Sequence, residues 1–316
     1  MNKTYVKTNA SSLEGRRRRT QFVCKYTQLE FVMPSLPLPI AALAAASHVA
    51  PALVAPFFRR MMLTPRRNVR PAPRLDLPAA DERLDLGDGL VAWRWNAAEP
   101  AAPLVLLIHG FEGHRTQFGA IVDALLAAGC SAVALDVPAH GESSGSELTA
   151  VKFVAAIERT LARLTPVHAV IGHSFGGAMA LFTLAIHGGA SRAVLISAPS
   201  ALGRELRRFS AAVGLSARGT RSFIRSVEAY VGRPASDFDV RRVAETLDLP
   251  ILLVHDQTDR QVPVLESSRS AHFLRSAELI VTRGFGHNRL LADPSVVETV
   301  VAFAAARDAK EPRAAN

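Results

Sequence analysis

The chain has 316 residues, of which 49% are hydrophobic and 21% charged, a balance typical of a globular protein rather than a disordered one. Two cysteines, Cys24 and Cys130, are too few for a disulfide framework. The net charge of +9 is concentrated at the start, because residues 1–75 hold 13 Lys and Arg against two acidic residues. The rest is near neutral and has no basic stripe interleaved with aromatic residues, so we expect no nucleic-acid partner.

The first 32 residues are polar and basic, include four consecutive arginines at 16–19 and show little apolar periodicity. This composition is typical of a disordered segment. Because the composition changes sharply at Met33, two origins stay open for residues 1–32. They form a presequence, or they lie upstream of a natural start at Met33.

An apolar segment follows at 36–58, LPLPIAALAAASHVAPALVAPFF. Its length approaches that of a membrane span, but four prolines and His48 argue against a continuous spanning helix. Three interpretations stay open. They are an apolar helix that packs on the domain or a partner, a membrane-surface anchor whose basic flank begins at Arg59 and Arg60, and a signal peptide or span. Residues 64–80, rich in proline and arginine, are predicted to be a linker.

Alternating strands and helices are predicted from Arg83 onward, beginning with a hairpin whose turn is Gly-Asp-Gly at 87–89. Continuous apolar runs predict buried strands at 104–108, 131–135, 167–171, 193–197, 250–254 and 278–282. Helical patterns lie between them, at 116–128, 150–164, 176–187 and 294–306. Continuous apolar strands that alternate with helices indicate an α/β protein whose mostly parallel central sheet carries helices on both faces.

Residues 201–246 break this alternation, since they are rich in arginine and serine and show only modest helical patterning. They enter after one strand and leave before the next. We therefore expect a small helical lid insertion over the mouth of the sheet, where lids control substrate access; a long surface excursion is the alternative. The predicted division is an N-terminal extension and linker (1–80), a core in two parts (81–200 and 247–308) and this insertion.

The motif Gly-His-Ser-Phe-Gly at 172–176 lies between a predicted strand and a predicted helix. A serine on such a tight turn projects its hydroxyl from the edge of the sheet, and the flanking glycines allow the turn. The N–H groups that open the helix can stabilise a developing oxyanion. The pattern predicts Ser174 as a nucleophile; the alternative is an ordinary turn with a capping serine.

An acid and a histidine follow two other predicted strands. Asp259 comes after the strand at 250–254, and His287 comes after the strand at 278–282. Because ligands bind at the carboxyl ends of strands in open α/β sheets, the three side chains are expected at one edge, in the order Ser, Asp, His.

This order and these motifs resemble the α/β hydrolase family over roughly residues 82–306. The resemblance implies that Ser174 is the nucleophile, that His287 is the general base and that Asp259 orients His287. It also implies an oxyanion hole, formed by the backbone N–H groups of Phe111 and Phe175.

One departure from the family pattern affects the acid. Where members often read His-Gly-x-x-Asp-x-x-Val-Pro, this chain reads HDQTDRQVP at 255–263, so that Asp256 adds a second carboxylate. The spacing favours Asp259 over Asp256. The resemblance also implies a structural role for the loop at 136–145, and we expect His109 and His173 to be structural residues.

The resemblance implies a serine hydrolase that cleaves a carboxylic ester, or a related small-molecule acyl substrate, through an acyl-enzyme, with no cofactor and no metal. Thioester hydrolysis, acyl transfer and C–C bond hydrolysis use the same triad and stay open, as does a non-catalytic or membrane-attached binding protein on this fold. We expect a cytoplasmic protein, with peripheral membrane contact through 36–60 as the alternative. The sequence does not define an oligomeric state.

Overall fold

A computed structural model describes residues 38–66 and 77–307. The predictions for residues 1–32, for Met33 as a start and for most of the 64–80 linker lie outside these described residues. The chain forms two compact units. Among the described residues, the larger unit comprises 63–66, 77–202 and 235–307, and the smaller unit comprises 38–62 and 203–234.

One eight-stranded sheet forms the centre of the larger unit. Its strands are β1 (Glu82–Asp85), β2 (Val91–Trp95), β3 (Leu104–Ile108), β4 (Ser131–Asp136), β5 (Val167–His173), β6 (Ala190–Ile196), β7 (Ile251–Asp256) and β8 (Ala277–Thr282). The spatial order is β1-β2-β4-β3-β5-β6-β7-β8. The β1–β2 hairpin and the β2–β4 pair are antiparallel, and every other neighbouring pair is parallel. The mostly parallel sheet predicted from the sequence is therefore confirmed.

Eleven α-helices lie within the described residues. They are α1 (Leu38–Ala46), α2 (Pro51–Leu63), α3 (Gly119–Ala127), α4 (Ala150–Leu164), α5 (Phe175–His187), α6 (Leu202–Ala212), α7 (Ala217–Val231), α8 (Val240–Val243), α9 (Leu265–Phe273), α10 (Gly286–Arg289) and α11 (Pro294–Ala305). Short 3-10 turns lie at Arg115–Phe118, Ala235–Phe238, Ala244–Thr246 and Leu290–Ala292. The predicted core helices correspond to α3, α4, α5 and α11.

Helix α9 has no counterpart among the sequence predictions, and its burial pattern explains why. Leu265 and Phe273 are exposed at its two ends, whereas Ser267 and Ser270 are buried. The helix therefore lacks the apolar stripe by which an amphipathic helix is recognised.

Helices cover both faces of the sheet, as predicted. In β3, Leu106 and Ile108 belong to one apolar core, which includes side chains of α4 and α5. Val105 and Leu107 belong to a second core on the other face, which includes side chains of α3 and α11. Because successive side chains of a strand point to opposite faces, a strand covered on both faces reads as a continuous apolar run.

The smaller unit consists of α1, α2, α7 and α6 from Gly203 onward. The turn between α1 and α2 packs on the first turn of α7. The backbone N–H of Ser216 donates to Ser47 Oγ at 2.9 Å, and Ser216 Oγ donates to the Ser47 carbonyl at 2.9 Å. Gly219 permits this approach, because a Cβ atom there would lie 2.6 Å from Ser47 Cβ.

The apolar segment predicted at 36–58 is thus folded, within the described residues, as two helices joined by a tight turn. Phe58 is fully buried, and Arg59 reaches α7, where it stacks on Tyr230 and donates to Ser226 Oγ at 3.2 Å. Of the predicted insertion at 201–246, the part at 203–234 belongs to the smaller unit and the part at 235–246 to the larger. No helix in the described ranges is both long enough and apolar enough to cross a bilayer.

Candidate active site

Ser174 occupies the sharp turn between β5 and α5. Its backbone has φ 54° and ψ −128°, a conformation that is strained for any residue other than glycine. The Ser174 N–H donates to the Ile196 carbonyl at the end of β6 at 2.8 Å, and its carbonyl accepts from Gly177 N at 3.0 Å. Although Ser174 is the N-cap residue of α5, its side chain makes no capping hydrogen bond. The turn therefore holds the hydroxyl without engaging it in the helix.

Two glycines bring the loop after β3 close to this turn. A Cβ atom at Gly176 would lie 2.4 Å from the His109 carbonyl oxygen, and a Cβ atom at Gly110 would lie 2.9 Å from Ser174 Cβ. Any larger residue at either position would push the loop away from the serine. The close approach therefore explains the glycines that follow Ser174 and His109.

His287 and Asp259 come into direct contact, although 28 positions separate them in the chain. His287 Nδ1 lies 2.7 Å from Asp259 Oδ2, and both side chains are buried. Because a carboxylate only accepts hydrogen bonds, the proton of the neutral imidazole is on Nδ1. Nε2 of His287 is then the unprotonated nitrogen, which is the form that a general base requires.

The surroundings of Asp259 favour its charged form. The N–H groups of Gln261 and Val262 donate to Oδ1 at 2.8 and 2.9 Å, and His255 Nε2 lies 3.3 Å from Oδ2. Burial by itself raises the pKa of Asp259, but the hydrogen bonds with His255 and His287 outweigh burial and hold the pKa well below its usual range. Asp259 is therefore ionised at neutral pH, where it can stabilise a charged His287.

The second carboxylate, Asp256, does not contact His287 but holds the loop that carries it. It accepts hydrogen bonds from the backbone N–H groups of residues 284–286 and from the hydroxyls of Thr258 and Thr282. Burial raises the pKa of Asp256, and these hydrogen bonds more than offset burial and lower the pKa to about 2. Asp256 thus positions the loop, and Asp259 is the carboxylate at the imidazole.

His173 links the nucleophile turn to the histidine loop. Its Nε2 lies 2.9 Å from the carbonyl oxygen of His287, and its Nδ1 lies 3.0 Å from Nε2 of Gln117. Since the amide of Gln117 donates to Nδ1, Nε2 of His173 carries the proton and donates to His287. Burial, together with the neighbouring His287, lowers the pKa of His173 to about 3, so the ring stays neutral. This contact places His287 beside the residue that precedes Ser174.

Sequence reasoning missed Gln117 entirely, because a glutamine in a predicted helix carries no signal of its own. The structural role expected for His173 depends on a bond to a segment 114 positions away in the chain, which no local pattern could indicate. His255 is a third residue whose contacts the sequence did not indicate. Its Nδ1 lies 2.7 Å from Ser267 Oγ and its Nε2 lies 2.8 Å from the Val262 carbonyl, which holds the ring beside Asp259.

The two expected oxyanion donors each follow a residue of the serine turn or of the loop packed on it: Phe175 follows Ser174, and Phe111 follows Gly110, where a Cβ atom would lie 2.9 Å from Ser174 Cβ. In the part of the chain that the structure describes, the backbone N–H groups of Phe111 and Phe175 have no hydrogen-bond acceptor. Their side chains pack edge-to-face, Phe175 on Phe153 and Phe111 on His140. Unpaired N–H groups next to a nucleophile can bind an oxygen that becomes negatively charged during a reaction.

His109, which precedes this loop, is fully buried and holds it in place. Its Nδ1 donates to the Gly110 carbonyl at 2.9 Å, and its Nε2 accepts from Val137 N at 3.3 Å. Burial and the nearby His140 hold the pKa of His109 well below its usual range. Within the described ranges, no group of three or more His, Cys, Asp or Glu residues is arranged to hold a metal ion.

Comparison with known proteins defines the class of protein. The sequence pattern of the alpha/beta hydrolase family matches residues 105–314, which is about two thirds of the chain. The chain belongs to the α/β hydrolase family, and it is a hydrolase enzyme of the esterase-like kind. The resemblance stated from the sequence motifs is confirmed.

Individual relatives and solved structures agree with this class. A pimeloyl-[acyl-carrier protein] methyl ester esterase of Xanthomonas campestris pv. campestris is 28% identical over 247 residues, which cover 65% of this chain and 96% of the relative. The corresponding enzyme of Xanthomonas axonopodis pv. citri is 28% identical over 226 residues, 58% of this chain and 88% of the relative. An esterase of Pyrococcus furiosus has a similar fold, with a TM-score of 0.56 and 22% identity over 77% of this chain and 96% of that one.

Proposed function

We propose that this hydrolase cleaves a carboxylic ester through an acyl-enzyme formed on Ser174. The observation that supports the proposal most directly is the 2.7 Å contact between His287 Nδ1 and Asp259 Oδ2, because it leaves Nε2 of His287 free of a proton. The strained turn at Ser174 and the unpaired N–H groups of Phe111 and Phe175 support it further.

In the first half of the reaction, Ser174 Oγ attacks the ester carbonyl carbon while its proton passes to Nε2 of His287. The carbonyl oxygen becomes an oxyanion, which accepts hydrogen bonds from the N–H groups of Phe111 and Phe175. Each such donor is worth about 3 kcal/mol of transition-state stabilisation. When the intermediate collapses, the C–O bond to the alcohol breaks, and His287 returns the proton to the leaving oxygen.

In the second half, water replaces the alcohol. His287 takes a proton from the water as the water oxygen attacks the acyl carbon, and Ser174 leaves with that proton. The acid is released and the serine is restored. Throughout, Asp259 keeps the imidazole in one orientation and stabilises its charged form, a role for which a carboxylate with a lowered pKa is suited.

The Xanthomonas relatives suggest a first substrate to test. Their names describe cleavage of a methyl ester on an acyl group carried by a protein. We therefore propose a small-molecule or carrier-linked acyl ester with a small alcohol as the substrate class. The cytoplasmic location expected from the sequence stays a prediction, which fractionation of cells would test.

A fluorophosphonate probe tests the nucleophile directly. We expect the wild type to be labelled and Ser174→Ala not to be labelled, while the control Ser268→Ala, which changes an exposed serine on α9, stays labelled. With p-nitrophenyl esters, Ser174→Ala should lower kcat about 10⁴-fold or more. An unlabelled, inactive but folded wild type would favour the non-catalytic alternative.

Matched oxygen esters and thioesters of increasing acyl length separate the reaction classes that share a triad. The proposal predicts a larger kcat/KM for methyl and p-nitrophenyl esters than for thioesters of the same acyl group. The opposite order, with labelling still lost in Ser174→Ala, would keep Ser174 as the nucleophile and reassign the enzyme as a thioesterase.

A further inference from the structure

The outer face of the two N-terminal helices is apolar and exposed. Leu38, Val49 and Leu53 are each more than four-fifths exposed, and Phe57 is 44% exposed. Apart from His48, which lies beside Val49, the other exposed residues between Leu38 and Phe57 are small and apolar; they are Pro39, Ala41, Ala42, Ala45, Ala52 and Pro56. Soluble proteins seldom leave such a set contiguous and uncovered, and where they do, the patch meets another surface.

Helical geometry makes this face continuous along α2. Leu53 and Phe57 are four residues apart in α2, so they lie along one side of the helix, and the exposed Val49 lies in the turn just before it. The buried Phe58 faces away from this exposed side. Arg60, three positions after Phe57, continues the exposed stripe. An apolar stripe that ends in an arginine is the arrangement of a helix lying in the plane of a lipid surface.

The charge of the smaller unit indicates which surface the face would meet. Its described residues, 38–62 and 203–234, hold nine arginines and two glutamates, with no lysine or aspartate. Along α7, Arg218, Arg221 and Arg225 are exposed and make no ion pair with any described residue. Such an excess attracts an anionic surface, and it repels a second copy of the same unit.

We propose that the outer face of α1 and α2 binds the surface of an anionic lipid bilayer, with its apolar side chains in the headgroup region and the arginines of the smaller unit close to lipid phosphates. The binding is peripheral, since no described helix is long and apolar enough to span a bilayer. The apolar side chains supply affinity for any lipid surface, and the arginines supply the preference for anionic lipid.

Vesicle co-sedimentation of the full chain tests this proposal. We expect binding to phosphatidylcholine vesicles that contain about one third phosphatidylglycerol, and weaker binding to pure phosphatidylcholine. Raising the salt concentration from about 0.05 M to about 0.5 M should weaken binding to the anionic vesicles about tenfold or more. Absence of binding to the anionic vesicles would overturn the proposal.

Two sets of variants separate the apolar and the charged contributions. Leu53→Ser with Phe57→Ser should weaken binding to both kinds of vesicle at least about tenfold. Arg218→Gln with Arg221→Gln and Arg225→Gln should weaken binding to anionic vesicles only.

The matched control is Ile186→Ser with Leu265→Ser, which changes two exposed apolar residues of the larger unit and should bind like the wild type.

Folding is checked by circular dichroism and by hydrolysis of a short water-soluble ester, which each of these variants should retain. The salt titration uses only the wild type, so its result remains valid even if one of the variants misfolds. Two results would overturn the proposal: unchanged lipid binding in Leu53→Ser with Phe57→Ser, or a wild-type dimer that this variant converts to a monomer. The second result would show that the face joins two copies of the chain.

Discussion

The two compact units differ in where they keep their apolar side chains and their charge. The larger unit buries apolar residues on both faces of its sheet, and its described residues hold sixteen basic and twenty-one acidic residues. The smaller unit holds nine arginines against two glutamates and leaves Leu53 and Phe57 exposed. The smaller unit thus combines exposed apolar side chains with a basic excess, the combination on which the proposed lipid contact rests.

This difference teaches that the two units can be altered separately. Changes near Ser174 should alter catalysis and leave lipid binding intact, whereas changes at Leu53 should do the reverse. A variant of either unit that altered both properties would break the comparison, and the following predictions sharpen it, beginning with the largest effect.

Replacement of Asp259, the carboxylate that contacts the His287 imidazole, has the largest expected effect. Asp259→Asn should lower kcat about 10³- to 10⁴-fold, because an amide neither stabilises the charged His287 nor holds the required tautomer. Steady-state kinetics with a p-nitrophenyl ester measure the loss. Asp123→Asn, at an exposed position on α3, should keep full activity, and vesicle binding of both variants should match the wild type. Near-normal kcat in Asp259→Asn would remove Asp259 from the mechanism.

The glycine after the nucleophile turn should show the largest effect on stability. Gly176→Ala would place a Cβ atom 2.4 Å from the His109 carbonyl oxygen, so the loop or the helix must shift. We expect a loss of about 3 kcal/mol or more in the free energy of unfolding, measured by denaturant titration. Gly129→Ala is the control, since its Cβ would meet no atom and only its φ of 74° opposes the change, at a cost of about 1–2 kcal/mol. Equal losses of unfolding free energy in the two variants would mean that the close approach of Gly176 to the His109 carbonyl is unimportant.

Asp256, the carboxylate that holds the loop of His287, should affect stability in a pH-dependent way. The folded-state pKa of Asp256, about 2, lies below its ordinary value of 3.8, so the charged carboxylate stabilises the fold by about 2 kcal/mol. This contribution is present above about pH 4 and is lost as the pH falls from about 4 towards 2. Asp256→Asn should therefore cost about 2 kcal/mol at pH 7, and the cost should shrink over that window.

Thermal unfolding of the wild type and of Asp256→Asn between pH 7 and pH 2 measures how the cost of the substitution depends on pH. Asp248→Asn, at an exposed position, should change the free energy of unfolding by less than about 0.5 kcal/mol at every pH. A cost for Asp256→Asn that stayed constant down to pH 2 would contradict the role assigned to the charge.

The smallest effect is expected in the smaller unit. Ser47→Ala removes the acceptor of the Ser216 N–H in a partly buried contact and should cost about 1 kcal/mol. Hydrogen exchange measures the change locally, and the amides at the start of α7 should exchange faster. Ester hydrolysis should be unchanged, because the contact lies wholly within the smaller unit. A loss of kcat in this variant would show that the two units are coupled.

Most of the larger unit could be predicted from the sequence, because its signals are local. A continuous apolar run requires a strand buried on both faces, and the Gly-x-Ser-x-Gly turn requires only its own few residues. The predicted strands therefore match β3 to β8 closely, and the predicted sheet is confirmed. Helix α9 escaped prediction because it buries serines and exposes Leu265, which reverses the usual pattern.

What the sequence alone established is the fold and the set of groups that could react, since both depend on residues adjacent in the chain. It favoured Asp259 over Asp256 by spacing alone, and it could not foresee that Asp256, Gln117 and His173 would hold the loop of His287. Nor could it show that the apolar N-terminal segment folds against α7, through a serine pair 169 positions apart. Such contacts arise only when distant segments pack together, because the hydrogen bonds that distinguish one carboxylate from another lie in loops whose positions the whole sheet sets.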